Sequence, residues 1–438
     1  MDIDNTTYHD LSVFNRDDEF SLFHKIDFTN TVGGRDCLAR MLYEPFSDLK
    51  KILQTQQIIS LIITKVEKWP ATITNGTIMV MQKFYETPID DIPAGHDVVN
   101  AFLYRALHKS DHSLVRYSIT HFAEFIRGMT GLIETFDADD APDLLRSLLQ
   151  RARKLLDNDV LLDLGKIAKD QKLLPIQVVT FGNFIRNRFK SGATELMEIF
   201  SRLDAWYSMA MATKTLALAI PVLHESDEPG IDAKSLYHIL LPQPVAYDVS
   251  LNPNNNFLFL TGANMAGKST FIKAVGVSVY LAHLGMGVPA KEMRLSLFDG
   301  LLSNINIEDN ISKGESYFFN EVHRVKNTIL KINNRRKWLV LIDELFKGTN
   351  VEDAMKCSSA VIKGLIKIRN SLFILSTHLY EIGEDLKQYP NINFKYFETT
   401  VNGEQLEFNY QLKDGISNDR LGYLILKREK VVDLLEKL

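Results

Sequence analysis

Phe257-Leu-Phe-Leu-Thr-Gly262-Ala-Asn-Met-Ala-Gly267-Lys268-Ser269-Thr270 decides the fold. Four apolar residues of strand type run into a glycine loop, and Thr270-Phe-Ile-Lys-Ala-Val then reads as a helix. The loop fits the P-loop pattern G-x-x-x-x-G-K-[ST]. Its glycines allow backbone N–H groups to curl around phosphate oxygens, and the helix N-terminus adds the positive end of its dipole. The nucleotide-binding set is therefore Gly262, Ala263, Asn264, Met265, Ala266, Gly267, Lys268, Ser269 and Thr270. Lys268 reads as the group that reaches the β- and γ-phosphates, and the Ser269 hydroxyl as a ligand to Mg²⁺. The expected cofactors are ATP and Mg²⁺.

Two further apolar runs end in chemistry. Trp338-Leu-Val-Leu-Ile reads as a buried parallel strand that delivers Asp343 to the magnesium and Glu344 to the attacking water. Leu372-Phe-Ile-Leu-Ser-Thr leads to His378, a candidate sensor of the γ-phosphate. Phe394–Val401 and Glu404–Gln411 flank Asn402-Gly403, the strongest short hairpin signal.

Upstream of about residue 225 the texture is helical. Cys37, Leu38, Met41 and Leu42 follow a break at Thr31–Gly34, and a helix is expected from Asp48 to Val66. Phe122, Ile126, Met129, Leu132 and Ile133 form one stripe, and Leu144, Leu145, Leu148, Leu149 and Leu155 another. Asp140 reads as an N-cap with Pro142 in the first turn, and a long helix is expected from Thr194 past Met211. These stripes read as bundle core. Glu225-Ser-Asp-Glu-Pro-Gly230 reads as a linker. The expected organisation is a helical domain over 1–230 and an α/β P-loop NTPase domain over 231–438.

Composition narrows the class. The chain has 438 residues, 45% apolar and 24% charged, which suits two or three globular domains. No stretch reaches the ~18 apolar residues of a membrane span, and the acidic, polar start is no secretory signal, so a cytoplasmic protein is expected. Two distant cysteines, Cys37 and Cys357, make neither a disulfide framework nor a zinc site. A net charge of −5 gives no global attraction to nucleic acid, so DNA contact needs a local basic face. Arg151, Arg153, Lys154, Arg186, Arg188 and Lys190 are the candidates for it.

These motifs resemble the MutS family of DNA mismatch repair ATPases. Thr261–Thr270, with Asn264-Met265 in the loop, is similar to that family's P-loop. Asp343-Glu-Leu-Phe-Lys-Gly-Thr-Asn350 is similar to its Walker B segment, and Ser376-Thr-His-Leu-Tyr-Glu381 to its switch-histidine segment. Gly287-Val-Pro-Ala290 and Gly314-Glu-Ser316-Tyr-Phe318-Phe-Asn-Glu321 also fit. So do Ser21–Pro45 and Leu203–Ala210, as parts of the helical core or lever domain.

The resemblance implies an ABC-like ATPase domain preceded by an all-α core/lever domain. It implies that Ser316 touches the γ-phosphate of an opposing subunit and that Tyr410 stacks on adenine. It further implies a homodimer through the ATPase domains and a coupling of ATP hydrolysis to DNA engagement, in mismatch repair or recombination. The sequence departs from the family in three ways. The expectation is a chain without a mismatch-reading or connector segment ahead of the core, with a clamp reduced or absent between the helices, and without a helix-turn-helix after Leu421-Gly-Tyr. Glu315 also stands where the family commonly has Arg, with Lys347 a candidate to offset it. DNA is then expected to be read by shape. A nucleotide-switched module that holds a protein instead of DNA is the competing expectation.

Overall fold

The computed structural model describes residues 1–15, 18–94, 97–137, 141–168, 170–305, 317–402, 405–417, 430–431 and 434. Two compact units emerge. One comprises Ile26–Tyr43 and Leu53–Leu216, and the other Met1–Lys25, Glu44–Ile52 and Ala217–Leu438. The helical segment thus closes at Leu216, ahead of the Glu225–Gly230 run, and the first 25 residues sort with the α/β unit.

The first unit is all-helical among its described residues. Lys109–Phe136 is its longest helix, and Phe122, Ile126, Met129, Leu132 and Ile133 are all buried along it. The leucine stripe of Asp143–Leu156 is narrower than its sequence suggests. Leu145, Leu149, Ala152 and Leu156 are buried, while Leu144, Leu148 and Leu155 flank them half-buried. Pro142 takes the N-cap position there, and Asp140 lies outside the described residues. Leu49–Thr64 and Lys190–Thr215 are the two other expected helices.

Thr31–Gly34 is not a break. It opens the helix Val32–Tyr43, and the reason is Asp204 on the Lys190–Thr215 helix. The fully buried Asp204 carboxylate accepts from the Asn30 amide N–H (3.0 Å), the Asn30 side chain (2.9 Å), the Thr31 N–H (2.9 Å) and the Thr31 hydroxyl (2.7 Å). A Cβ at position 34 would stand 2.2 Å from Asp204 Oδ2, so only glycine fits. Burial pushes this carboxyl above its usual range, against the pull of the four donors.

The second unit holds two sheets built from β1 (Asp2–Ile3), β2 (Val222–His224), β3 (Ile231–Leu236), β4 (Tyr247–Leu251), β5 (Phe257–Gly262), β6 (Glu292–Ser296), β7 (Gly300–Asn304), β8 (Trp338–Asp343), β9 (Ser371–Ser376), β10 (Ile392–Asn402) and β11 (Gln405–Asp414). The large sheet has the order β1-β7-β8-β9-β5-β10-β11. Every neighbouring pair in it is parallel except β10–β11, the hairpin expected from Asn402-Gly403. The small sheet has the order β2-β6-β3-β4. β5, β8 and β9 are buried at every residue, as unbroken apolar runs covered on both faces must be. The helix Lys268–His283 follows β5 and is buried along nearly its whole length.

At the β7 edge the chain's first helix, Asn5–Asp10, supplies side chains where a strand would supply carbonyls. Thr7 Oγ1 accepts from the Ser303 N–H (2.9 Å), and Asp10 Oδ2 accepts from the Ile305 N–H (2.9 Å) and the Ser303 hydroxyl (2.6 Å).

Candidate functional site

β8, β9 and β5 are consecutive neighbours and parallel, so their C-terminal ends lie side by side. That topology gathers Asp343, Ser376 and the loop after Gly262 although up to 114 residues separate them in sequence. Crevices of this kind beyond parallel strand ends are where open α/β sheets bind ligands.

The loop conformation depends on its glycines. Gly262 has φ 135° and Gly267 φ 106°, both left-handed, and Met265 joins them at φ 66°. A Cβ at Gly262 would also crowd the Phe397 backbone at 3.1 Å. Ala263 and Ala266 are buried under the loop, while Asn264 and Met265 are exposed on its crest. Gly267 caps the following helix, where Lys268, Ser269 and Thr270 form the first turn. The Lys268 ammonium is buried and donates to the carbonyls of Gly262 and Ala263, both at 2.9 Å. Burial pulls its pKa down to about 8 against the upward pull of Glu344 and Asp343, so it stays mostly charged at neutral pH.

Ser269 Oγ donates to Asp343 Oδ2 at 2.5 Å, and the Ser376 hydroxyl donates to Asp343 Oδ1. Hydroxyl and carboxylate oxygens so close are the hard donors that Mg²⁺ takes, so this pair fits the ion. Beside it, Glu344 has φ 64°, a left-handed backbone conformation. Its carboxylate meets His378 Nε2 at 2.8 Å and Lys347 Nζ at 3.2 Å. Burial alone would raise this carboxyl, but the His378 hydrogen bond and charge, helped by Lys347, hold it down at about 2. His378 Nε2 also lies 3.4 Å from Lys268 Nζ. Lys347 is thus engaged with Glu344, and its expected partner Glu315 lies outside the described residues, as does Ser316.

A cavity of about 380 Å³ opens next to the loop. Gly267, Lys268, Ser269 and Thr270 form one wall, and His238, Leu241, Tyr247, Phe271 and Tyr410 the others. Tyr410, at φ 53° and 41% exposed, leans its ring over Gly267, where a Cβ would sit 3.4 Å from Cδ1. Tyr247 packs edge-on against Phe271 (5.5 Å) and Phe397 (5.6 Å). Burial lowers the His238 pKa to about 4, so its ring is neutral, and Nδ1 accepts from the Leu240 N–H. Size and lining suit a planar heterocycle. Sequence reasoning singled out Tyr410 but neither His238 nor Tyr247. Those two precede the P-loop in a stretch without a motif, and only the small sheet brings them to the loop.

Four of the six basic candidates of the helical unit, Arg151, Arg153, Arg186 and Lys190, have intramolecular engagements, and Lys154 and Arg188 are exposed. Arg151 forms a two-pronged pair with Glu195 (2.5 and 2.7 Å), and Arg153 meets Asp137 at 2.7 Å. Arg186 donates to the carbonyls of Phe84 and Thr87 and lies over the Phe84 ring, which makes it a structural residue. Lys190 sits over the Tyr85 ring at 5.9 Å. No helix among the described residues is long and apolar enough to cross a membrane.

Residues 258–433 match the family model for MutS domain V. Among curated proteins, the DNA mismatch repair protein MutS of Thermotoga maritima is 28% identical over 250 residues, which is 56% of this chain and 31% of the relative. That of Persephonella marina is 29% identical over 232 residues, 51% of this chain and 26% of the relative. That of Thermotoga petrophila is 31% identical over 189 residues, 43% of this chain and 24% of the relative. The matches span about a quarter to a third of those relatives' length. These similarities support the MutS family for the part of the chain that carries the site.

Proposed function

We propose that this chain is a MutS-like, Mg²⁺-dependent ATPase whose hydrolytic cycle is coupled to DNA engagement. The observation that carries the reading is the constellation at the ends of β5, β8 and β9. Ser269 Oγ lies 2.5 Å from Asp343, and Glu344 is held 2.8 Å from His378 beside Lys268. In this reading the α/β unit is a P-loop NTPase domain of ABC-like type, and the helical unit is the core or lever.

The residues divide the work. The loop Gly262–Gly267 and the Lys268 helix turn present N–H groups and one ammonium to the phosphates. On binding, Lys268 exchanges the Gly262 and Ala263 carbonyls for phosphate oxygens. Ser269 and Asp343 hold Mg²⁺, which when bound neutralises charge on the β- and γ-phosphates. Glu344 orients the attacking water as a hydrogen-bond acceptor, and His378 keeps the Glu344 carboxylate aimed. Tyr410, with Tyr247 and His238 around the cavity, takes the adenine. Ser316 would act on the nucleotide of a second copy, which makes the homodimer the working form.

DNA engagement rests on the similarity to proteins named for DNA mismatch repair. A second reading, a nucleotide-switched module that holds a protein, is favoured by the engaged state of Arg151 and Arg186 and by the net charge of −5. One experiment separates them. ATP turnover of the purified chain is measured with Mg²⁺ or EDTA, and with homoduplex, mismatched and branched DNA at two salt concentrations, beside Lys268→Ala. The first reading expects loss of turnover in EDTA, a fall of at least about 100-fold in the variant, and salt-dependent DNA binding or stimulation. An inert wild type in Mg²⁺ refutes the ATPase. An active enzyme indifferent to every DNA refutes the coupling and leaves the protein module.

A further inference from the structure

The loop that carries Glu344 is held from outside by a residue with no place in the nucleotide site. Glu321 lies on the helix Tyr317–Ile332 and is 2% exposed. Its two carboxylate oxygens split between two consecutive amides. Oε1 accepts from the Lys347 N–H at 2.9 Å and Oε2 from the Gly348 N–H at 3.1 Å. The same helix meets the same loop twice more. The Phe318 ring packs on Phe346 at 5.7 Å, and a Cβ at Gly348 would stand 2.7 Å from the Phe318 backbone nitrogen.

The clasped loop is costly backbone. Glu344 at φ 64° and Phe346 at φ 59° are both left-handed, a conformation that side-chain-bearing residues keep only when their surroundings enforce it. Lys347, whose backbone Glu321 holds, extends Nζ to Glu344 at 3.2 Å. The order of contacts is therefore Glu321, then the Lys347 and Gly348 backbone, then the Lys347 ammonium, then the Glu344 carboxylate.

We propose that Glu321 is a positioning residue for hydrolysis, which clasps the 346–348 backbone and thereby fixes Lys347 and Glu344 in their working orientation. The inference rests on the reading of Glu344 as the group that handles water. It assigns Glu321 no contact with nucleotide. Its removal is therefore expected to slow the chemical step while nucleotide binding through the P-loop persists.

The test uses the full chain with Glu321→Ala, Glu321→Gln and Lys347→Ala, and the double variant Glu321→Ala/Lys347→Ala. Turnover gives kcat and KM, and a fluorescent ATP analogue with Mg²⁺ gives affinity. Glu321→Ala should lower kcat at least about tenfold, the scale of a misplaced catalytic group, with KM and affinity changed less than about threefold. Glu321→Gln keeps one acceptor oxygen and should recover part of that loss. The double variant should be no slower than about the slower single one, because both act on the same carboxylate. A Glu321→Gln protein with unchanged kcat, or losses that multiply in the double variant, would overturn the inference. So would an effect confined to KM and affinity. A wild type without ATP turnover removes the ATPase reading and this inference with it. An active wild type with indifferent Glu321 variants removes this inference alone.

Discussion

Acid should weaken this protein in part through the buried ring of His283, and the size of that contribution follows from the structure. His283 ends the P-loop helix with no exposed surface. Its Nδ1 lies 2.8 Å from the Phe46 carbonyl and its Nε2 accepts from the Phe298 N–H at 3.2 Å. The first contact needs a proton on Nδ1 and the second a lone pair on Nε2, so the ring is held neutral in one tautomer. Burial lowers its pKa from 6.5 to about 4. The unfolded chain then binds more protons than the folded one between these values, so stability rises with pH across that window and falls on acidification. With 6.5 unfolded and about 4 folded, the loss between pH 7 and pH 5 comes to about 2 kcal/mol.

Urea unfolding of the wild type and of His283→Asn at both pH values measures it. The variant is less stable at pH 7 but should lose about 2 kcal/mol less on going to pH 5. His238 and the carboxylates titrate in both proteins and cancel in the difference. Equal losses in the two proteins would refute the reasoning, since the ring would then be free to charge in place.

Two further outcomes are expected. Asp204→Ala strands the Asn30 N–H, the Thr31 N–H and the Thr31 hydroxyl. It should cost the helical unit roughly 3–5 kcal/mol in urea unfolding, and a loss under ~1 kcal/mol would mean that the turn re-satisfies itself. Glu344→Gln should bind ATP with near-normal affinity and hydrolyse it about 100-fold more slowly in single-turnover assays. Near wild-type turnover would remove Glu344 from the catalytic role.

The legible part of the fold was what local chemistry writes down. Phe257–Leu260, Trp338–Ile342 and Leu372–Leu375 are apolar at every position because both faces of their strands are covered, and no surface helix tolerates that pattern. The β10–β11 hairpin announced itself through Asn402-Gly403. What stayed hidden was set by partners far away in sequence. Asp2–Ile3 is too short to carry a period, and it becomes a strand only because β7 lies beside it. Gly33-Gly34 reads as a helix stop until Asp204 appears 170 residues later and needs the space. The same holds at the site. The P-loop, Asp343-Glu344 and His378 sit at strand ends that the sequence marks, whereas His238, Tyr247 and Glu321 hold positions that only the folded sheet and its flanking helix create.

The treatment of the β7 margin bears on how this protein behaves in a crowd. A sheet's outer strand with unpaired amides is a template on which other chains can add strands, and β7 carries the apolar run Gly300-Leu-Leu. Here its backbone is taken first by a two-residue strand, β1, and then by the side chains of Thr7 and Asp10 at Ser303 and Ile305. Asp10 also accepts from the Ser303 hydroxyl and lies 3.5 Å from the Arg324 guanidinium, so this cover is anchored at more than one point. The first ten residues therefore cover a margin on which other chains could add strands, and that margin lies one strand away from β8, which carries Asp343 of the proposed nucleotide site.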